Sequence, residues 1–233
     1  MDIAGLQKTT LIDYPGKVAC TVFVAGCNFR CPYCHNPDLV QAGREIPKMP
    51  RQGEFFKFLA KRKKWLDGVC ITGGEPTLNA ELPEFIGKIK AEGFLVKLDT
   101  NGTNPKLLGE LIKGGLVDYV AMDIKAPLEG YDKVVGVKVD TAAIKESAAM
   151  LMQGGVDYEF RTTVVPELFG EKEAREIAKW LKGAKKYYLQ TFNPQVPLLD
   201  REFMKKKPYE QGGMGKLREI MAPAFGICGV REG

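Results

Sequence analysis

Residues 68–102 read GVCITGGEPTLNAELPEFIGKIKAEGFLVKLDTNG. The run 68–72 is apolar and rich in β-branched residues, which predicts a strand. Over 81–92, Leu82, Phe85, Ile86 and Ile89 recur at helical spacing and leave Glu84, Lys88 and Lys90 on the wet face. A second strand is expected at 94–99. A largely apolar strand, an amphipathic helix and another such strand are the signature of parallel strands covered on both faces.

The same alternation runs outward in both directions. Strands are expected at 18–25, 117–124, 157–165 and 186–192, and helices at 52–66, 104–113, 141–153, 171–182 and 215–223. Gly93, Gly114 and Gly154 stand where left-handed helix C-caps are expected. Six β–α units in series predict an α/β protein with a parallel sheet under helices. A closed eight-unit barrel takes about 250 residues. This chain has 233 and devotes part of them to a cysteine loop and to an irregular stretch, 193–214. The expected architecture is therefore an open, partial (β/α)6 TIM-like barrel with parallel strands. Neither an internal repeat nor a Pro/Gly/Ser-rich linker is visible, so 1–233 reads as a single domain.

Hydrophobic residues make up 45% of the chain, too many for a disordered segment. The longest apolar run, near 18–26, is too short for a bilayer, and no secretory signal is visible. These features point to a cytoplasmic protein without membrane partners. Net charge is +5, a mildly basic surface that would also suit an acidic protein partner. The basic runs 61–64 and 205–207 lack the interleaved aromatics of a nucleic-acid platform and read as solvated faces.

Three of the six cysteines crowd into Gly26-Cys27-Asn28-Phe29-Arg30-Cys31-Pro32-Tyr33-Cys34-His35-Asn36-Pro37. Clustered thiols in a reducing compartment more often bind metal than pair with one another. Cys27, Cys31 and Cys34, at Cys-x3-Cys-x2-Cys spacing, are soft donors able to hold three corners of an iron–sulfur cubane. The alternatives are a Cys3His zinc site that recruits His35, the chain's single histidine, and disulfides. Cys20 and Cys70 lie in apolar runs and read as buried thiols. Cys228 carries no assignment.

In parallel α/β folds, chemistry collects at the carboxyl ends of the strands. The polar and glycine-rich motifs obey that rule. Cys27 follows the first expected strand, Gly73-Gly74-Glu75-Pro76 the second, and Asp99-Thr100-Asn101-Gly102 the third. Asp123 and Lys125 close the fourth, Arg161 lies on the fifth, and Gln190-Thr191-Phe192-Asn193 ends the sixth. Each motif has a plainer reading too: Gly-Gly as a strand-to-helix turn, and Asn101-Gly102 as an ordinary turn.

Cys-x3-Cys-x2-Cys with an aromatic Tyr33 in its last pair, followed by Gly-Gly-Glu-Pro, resembles the radical SAM superfamily. The opening Thr9-Thr10-Leu11-Ile12-Asp13-Tyr14-Pro15-Gly16-Lys17 and the cysteine loop look most like the activating proteins of anaerobic ribonucleotide reductase, with pyruvate formate-lyase activating enzymes close behind. That resemblance implies one 4Fe–4S cluster with three cysteine ligands and a fourth iron bound by S-adenosylmethionine (SAM). It implies SAM contacts at Tyr33, His35, Gly73, Gly74, Glu75, Asp99, Asn101, Asp123, Lys125 and Arg161. Among these, Gly73-Gly74-Glu75 would meet the SAM amino group, Arg161 its carboxylate, and Asp99 and Asp123 a small polar or monovalent-cation site. The implied activity is abstraction of a hydrogen atom from a backbone glycine of a glycyl-radical enzyme, with flavodoxin or ferredoxin as electron donor and no side-chain acid or base. An enzyme of the deazaguanine-synthase kind, acting on a small molecule, is the alternative. Formate-lyase activases carry a late SAM-contacting histidine where this chain offers Gln190, Phe192 and Asn193. The stretch from Cys34 to Gly73 also has no room for the extra clusters that some activases insert.

Overall fold

The computed structural model describes residues 1, 3–40 and 52–232. Among the described residues, eight strands and eight α-helices alternate along most of the chain, and strand order across the sheet is chain order. The residues pack as two compact units. One comprises 1–28, 38–121 and 155–157, and the other 29–37, 122–154 and 158–233.

In the first unit, β1 (Ile3–Thr10) pairs antiparallel with β2 (Ala19–Val24). β2 runs parallel to β3 (Gly68–Gly73), and β3 parallel to β4 (Leu95–Thr100). β2 and β3 are buried along most of their length, as expected for strands covered on both faces. A short helix, α1 (Pro37–Val40), begins in the second unit and ends in the first, followed by α2 (Gln52–Arg62). α3 (Leu82–Ala91) buries Leu82, Phe85, Ile86 and Ile89, the stripe read from the sequence. α4 (Pro105–Lys113) starts at Asn104, whose side chain accepts from Leu107 N, with proline at its first position.

β5 (Tyr119–Asp123) passes from the first unit into the second after Ala121. There α5 (Tyr131–Val135) is a single tight turn bracketed by Gly130 and Gly136, both left-handed. α6 (Thr141–Gln153) is capped by Asp140, which accepts from Ala142 N. β6 (Asp157–Val164) runs parallel to β7 (Lys186–Thr191), and β7 parallel to β8 (Ile227–Arg231). α7 (Glu171–Trp180) follows β6, and α8 (Gln211–Met221) precedes β8.

All six expected strands form, and two more join them. β1 escapes a reading based on apolar runs because Gln7, Lys8 and Thr9 are exposed along it. β8 escapes because it is short and half exposed. One cap expectation is corrected. Gly114 ends α4 in the right-handed conformation (φ −76°), and its neighbour Gly115 takes the positive φ. Gly93 and Gly154 both have positive φ, though ψ at Gly154 is extended. Among the described residues, no helix is long and apolar enough to cross a membrane.

Candidate active site

The cysteine loop is anchored separately at its two ends. In the first unit, Gly26 N donates to Leu39 O (2.7 Å), Cys27 N to Val40 O (3.3 Å) and Glu75 N to Gly26 O (2.8 Å). The glycines of Gly73-Gly74 answer to this packing. A Cβ on Gly73 would sit 2.5 Å from backbone atoms of Val24, and one on Gly74 would sit 2.0 Å from Gly26 O. The absent side chains thus let β3 close on the start of the loop. The N–H groups of Gly74 and Glu75 are engaged there as well, with Val24 O and Gly26 O.

In the second unit, Arg30 N donates to Val135 O (2.7 Å), Leu199 N to Cys34 O (3.3 Å) and Asp200 N to Pro32 O (2.9 Å). Cys34 N closes a turn on Cys31 O (3.0 Å). Gly136 makes the first of these ties possible, since a Cβ there would lie 2.6 Å from Arg30 O. None of the six cysteines is in a disulfide; Cys31 is buried, and Cys27 and Cys34 are partly exposed. Among the described residues, no three His, Cys, Asp or Glu side chains are gathered as around an ion. The cluster assignment therefore stands on donor chemistry and spacing.

Two buried polar atoms beside these thiols have no hydrogen-bond partner: Tyr33 Oη and His35 Nε2. Burying such atoms unsatisfied is costly, and a polar ligand would satisfy them. The His35 ring stacks at 6.5 Å and 22° on Phe192, just past β7. Burial first, and then the nearby Lys125 charge, push the His35 pKa down and favour neutral imidazole. Burial, followed by the Cys31 thiol, holds the Tyr33 phenol well above its ordinary range.

Glu75 is deeply buried (1% exposed), and its carboxylate is engaged on both oxygens. Oε1 accepts from Thr77 N (3.0 Å), Thr77 Oγ (2.5 Å) and Thr100 Oγ (2.8 Å), while Oε2 accepts from Asn101 N (2.6 Å). Asn101 in turn donates through Nδ2 to Asn28 Oδ1 (2.8 Å), and its own Oδ1 accepts from Thr103. Glu75 and Asn101 therefore tie the ends of β3 and β4 to the residue that follows Cys27. Asp99, at the end of β4, is ion-paired with Lys97, a buried lysine two residues earlier that the sequence reading passed over.

In the second unit Asp123 lies between two cations. Arg161 Nε donates to Oδ1 (2.9 Å) and Lys125 Nζ to Oδ2 (3.0 Å). Burial alone would raise the Asp123 carboxyl, but Arg161 and then Lys125 outweigh it and depress the pKa to about 2. For Lys125 burial works against the charge, and Asp123 overrides it, holding the ammonium well above its ordinary range. Tyr131 Oη accepts from Lys125 N (3.0 Å), and Ile124 N donates to Arg161 O (2.8 Å), so this end of β5 is fixed through backbone and side chain alike.

Comparison with known proteins joins this geometry to a family. Residues 21–181 match the model of the radical SAM superfamily. A Methanocaldococcus jannaschii protein named as a glycyl-radical enzyme activating enzyme is 34% identical over 226 residues, covering 94% of this chain and 90% of that protein. The pyruvate formate-lyase-activating enzyme of Clostridium pasteurianum is 30% identical over 230 residues, with the same coverage of each. A solved structure of TYW1 with a lysine–pyruvate adduct superposes with a TM-score of 0.60 at 16% identity, over 87% of this chain and 72% of that one. It shows the fold: a partial TIM barrel built on a mostly parallel, open eight-stranded sheet alternating with helices. The chain belongs to the radical SAM superfamily and, within it, to the glycyl-radical enzyme activating enzymes.

Proposed function

We propose that this enzyme cleaves SAM reductively and takes a hydrogen atom from a backbone glycine Cα of a partner enzyme, with anaerobic ribonucleotide reductase as that partner. The observation that carries the reading is similarity to activating enzymes over 94% of the chain, with the Cys-x3-Cys-x2-Cys loop in place and a single cysteine, Cys70, between Cys34 and Gly73. Cys27, Cys31 and Cys34 would ligate one 4Fe–4S cluster. Bound together, cluster and SAM supply an electron and a primary carbon radical able to remove a hydrogen atom.

The chain's own residues do the positioning. Lys125 and Arg161 both pair with Asp123, and their cationic groups are the ones suited to meet a ligand carboxylate. Tyr33 Oη and His35 Nε2 are unsatisfied polar atoms suited to a nucleoside. Gly73, Gly74, Glu75 and Asn101 shape the wall beside Cys27, with Glu75 acting through its ties and not by direct contact. We assign no side chain an acid or base role. The two units act as one catalytic domain, with flavodoxin or ferredoxin as the electron source. Pyruvate formate-lyase is the second target, favoured by the Clostridium pasteurianum relative.

The test mixes reduced enzyme and SAM anaerobically with each candidate partner and records the electron paramagnetic resonance spectrum. A glycyl doublet on ribonucleotide reductase, lost when its glycine is replaced by alanine, supports the proposal. A doublet on formate-lyase alone moves the target. SAM turnover with a small molecule and no protein radical overturns it.

A further inference from the structure

The family resemblance implies a monovalent cation beside the two aspartates, and these residues do not fit one. We propose that this chain supplies the positive charge itself, with Lys97 as the fixed cation at Asp99. The inference rests on the reading of Asp99 as part of the SAM site.

Lys97 stands on β4 with 1% of its side chain exposed. A lysine so buried needs a counter-charge. It has one two residues along, on the same face of the strand, where the Lys97 ammonium is paired with Asp99 Oδ1. The third member is Cys70, register partner of Lys97 on β3. Its sulfur lies 3.7 Å from the ammonium and 3.9 Å from the same carboxylate oxygen. A soft thiol beside a carboxylate suits an ammonium group; hard cations take several oxygens.

Asp123 is in the same condition within its own unit. Lys125 and Arg161 hold its two oxygens at 3.0 and 2.9 Å. An alkali ion approaching either aspartate would therefore face a tethered positive charge already in contact with it. The tether also sets a local concentration that a dissolved ion reaches only at high salt. The sequence hides the device because a lone lysine in a strand reads as a solvent-facing residue. Only its burial and the Asp99 contact reveal it.

The test compares SAM affinity of the reconstituted enzyme by calorimetry in tetramethylammonium chloride with that in sodium or potassium chloride at equal ionic strength. The wild type should change by less than about twofold. Lys97→Met should lose about tenfold in the tetramethylammonium salt and recover part of that with potassium or sodium. A readout without SAM runs in parallel: potassium should raise the melting temperature of Lys97→Met and leave the wild type unmoved. Lys97→Met/Asp99→Asn, which lacks the carboxylate, should lose that response. Should Lys97→Met fail to fold, the wild-type arm decides alone. Wild-type affinity falling about tenfold without alkali ions overturns the proposal while leaving the SAM reading intact. Absence of SAM binding in every salt overturns that reading, and the inference with it.

Discussion

Glu75, just past β3, and Asp123, at the end of β5, are a buried and a partly buried carboxylate, yet their surroundings differ in kind. Glu75 accepts only from uncharged donors, two backbone N–H groups and two threonine hydroxyls. Burial pushes its carboxyl up, and those hydrogen bonds pull part of the way back. Asp123 keeps 27% of its side chain exposed and is held by two full charges, which push it the other way, to about 2. A carboxylate satisfied by neutral donors of its own chain is a structural tie with nothing left to offer. A carboxylate paired with two cations is held by charge, and those cations are the groups that the proposed function turns toward an anionic ligand. The same functional group is thus tied by neutral donors in one unit and by full charges in the other.

The largest expected effect tests the structural side of that contrast. Glu75→Gln places an amide donor among four donors, and unsatisfied buried groups cost about 1–3 kcal/mol each. Allowing for relaxation, the variant should lose about 3 kcal/mol, and its melting temperature should fall by about 6–12 °C. Differential scanning calorimetry that finds less than about 1 kcal/mol would break the contrast.

Acid titration separates the two carboxylates by sign. The folded pKa of Asp123, about 2, lies below its ordinary 3.8. Its contribution is therefore complete above about pH 4 and is lost as pH falls toward about 2. The shift corresponds to roughly 2 kcal/mol. The stability gap between wild type and Asp123→Asn should close over that window in urea titrations. Glu75 is raised instead, so its titration favours the folded state at low pH and weakens it as pH climbs past 4.5. The gap to Glu75→Gln should therefore widen on acidification. Parallel movement of the two gaps would show that the environments do not differ as described.

How much of this was legible beforehand depends on which physical rule governs each residue. The six central strands and the α3 stripe follow from apolar periodicity. The motifs at the strand ends follow from the geometry of parallel sheets. Edge strands are another matter, because their pairing is decided by neighbours distant in sequence and one face stays wet. Gly136 carries no local signal either: its need for a bare Cα comes from Arg30 O, over a hundred residues earlier. Lys97 and the saturation of Glu75 are likewise facts of tertiary contact. The sequence could name Glu75 as a motif residue, but only the structure shows its oxygens already taken.

Ligand binding tests the charged side of the comparison. Lys125→Ala and Arg161→Ala each remove one of the cations around Asp123. Each should weaken SAM binding about tenfold in calorimetry, roughly 1.4 kcal/mol, while iron content stays at the wild-type level. Wild-type affinity in both variants would remove the role given to this cluster. Loss of iron would instead mean that the trio supports the cysteine loop.

The smallest effect concerns the thiols outside the loop, where the contrast is between the cysteines proposed as cluster ligands and those read as packing thiols. Cys228 sits on β8, half exposed, and burial raises its pKa to about 11 despite Arg218 nearby. At about pH 8 only about one molecule in a thousand would carry the thiolate, the form that ligates metal or attacks electrophiles. Its thiol makes a weak hydrogen bond to Arg218 O at 3.9 Å. Cys228→Ala should therefore change stability by less than about 0.5 kcal/mol and leave both reconstituted iron and SAM cleavage unchanged. Cys20 is better buried and raised further, to about 12. Cys20→Ala should also keep its iron, though it loses packing in β2. Iron analysis and the absorption spectrum of the reconstituted variants check both. A drop of about one iron per chain in Cys228→Ala would make that thiol a ligand after all, and the three-cysteine assignment would fail.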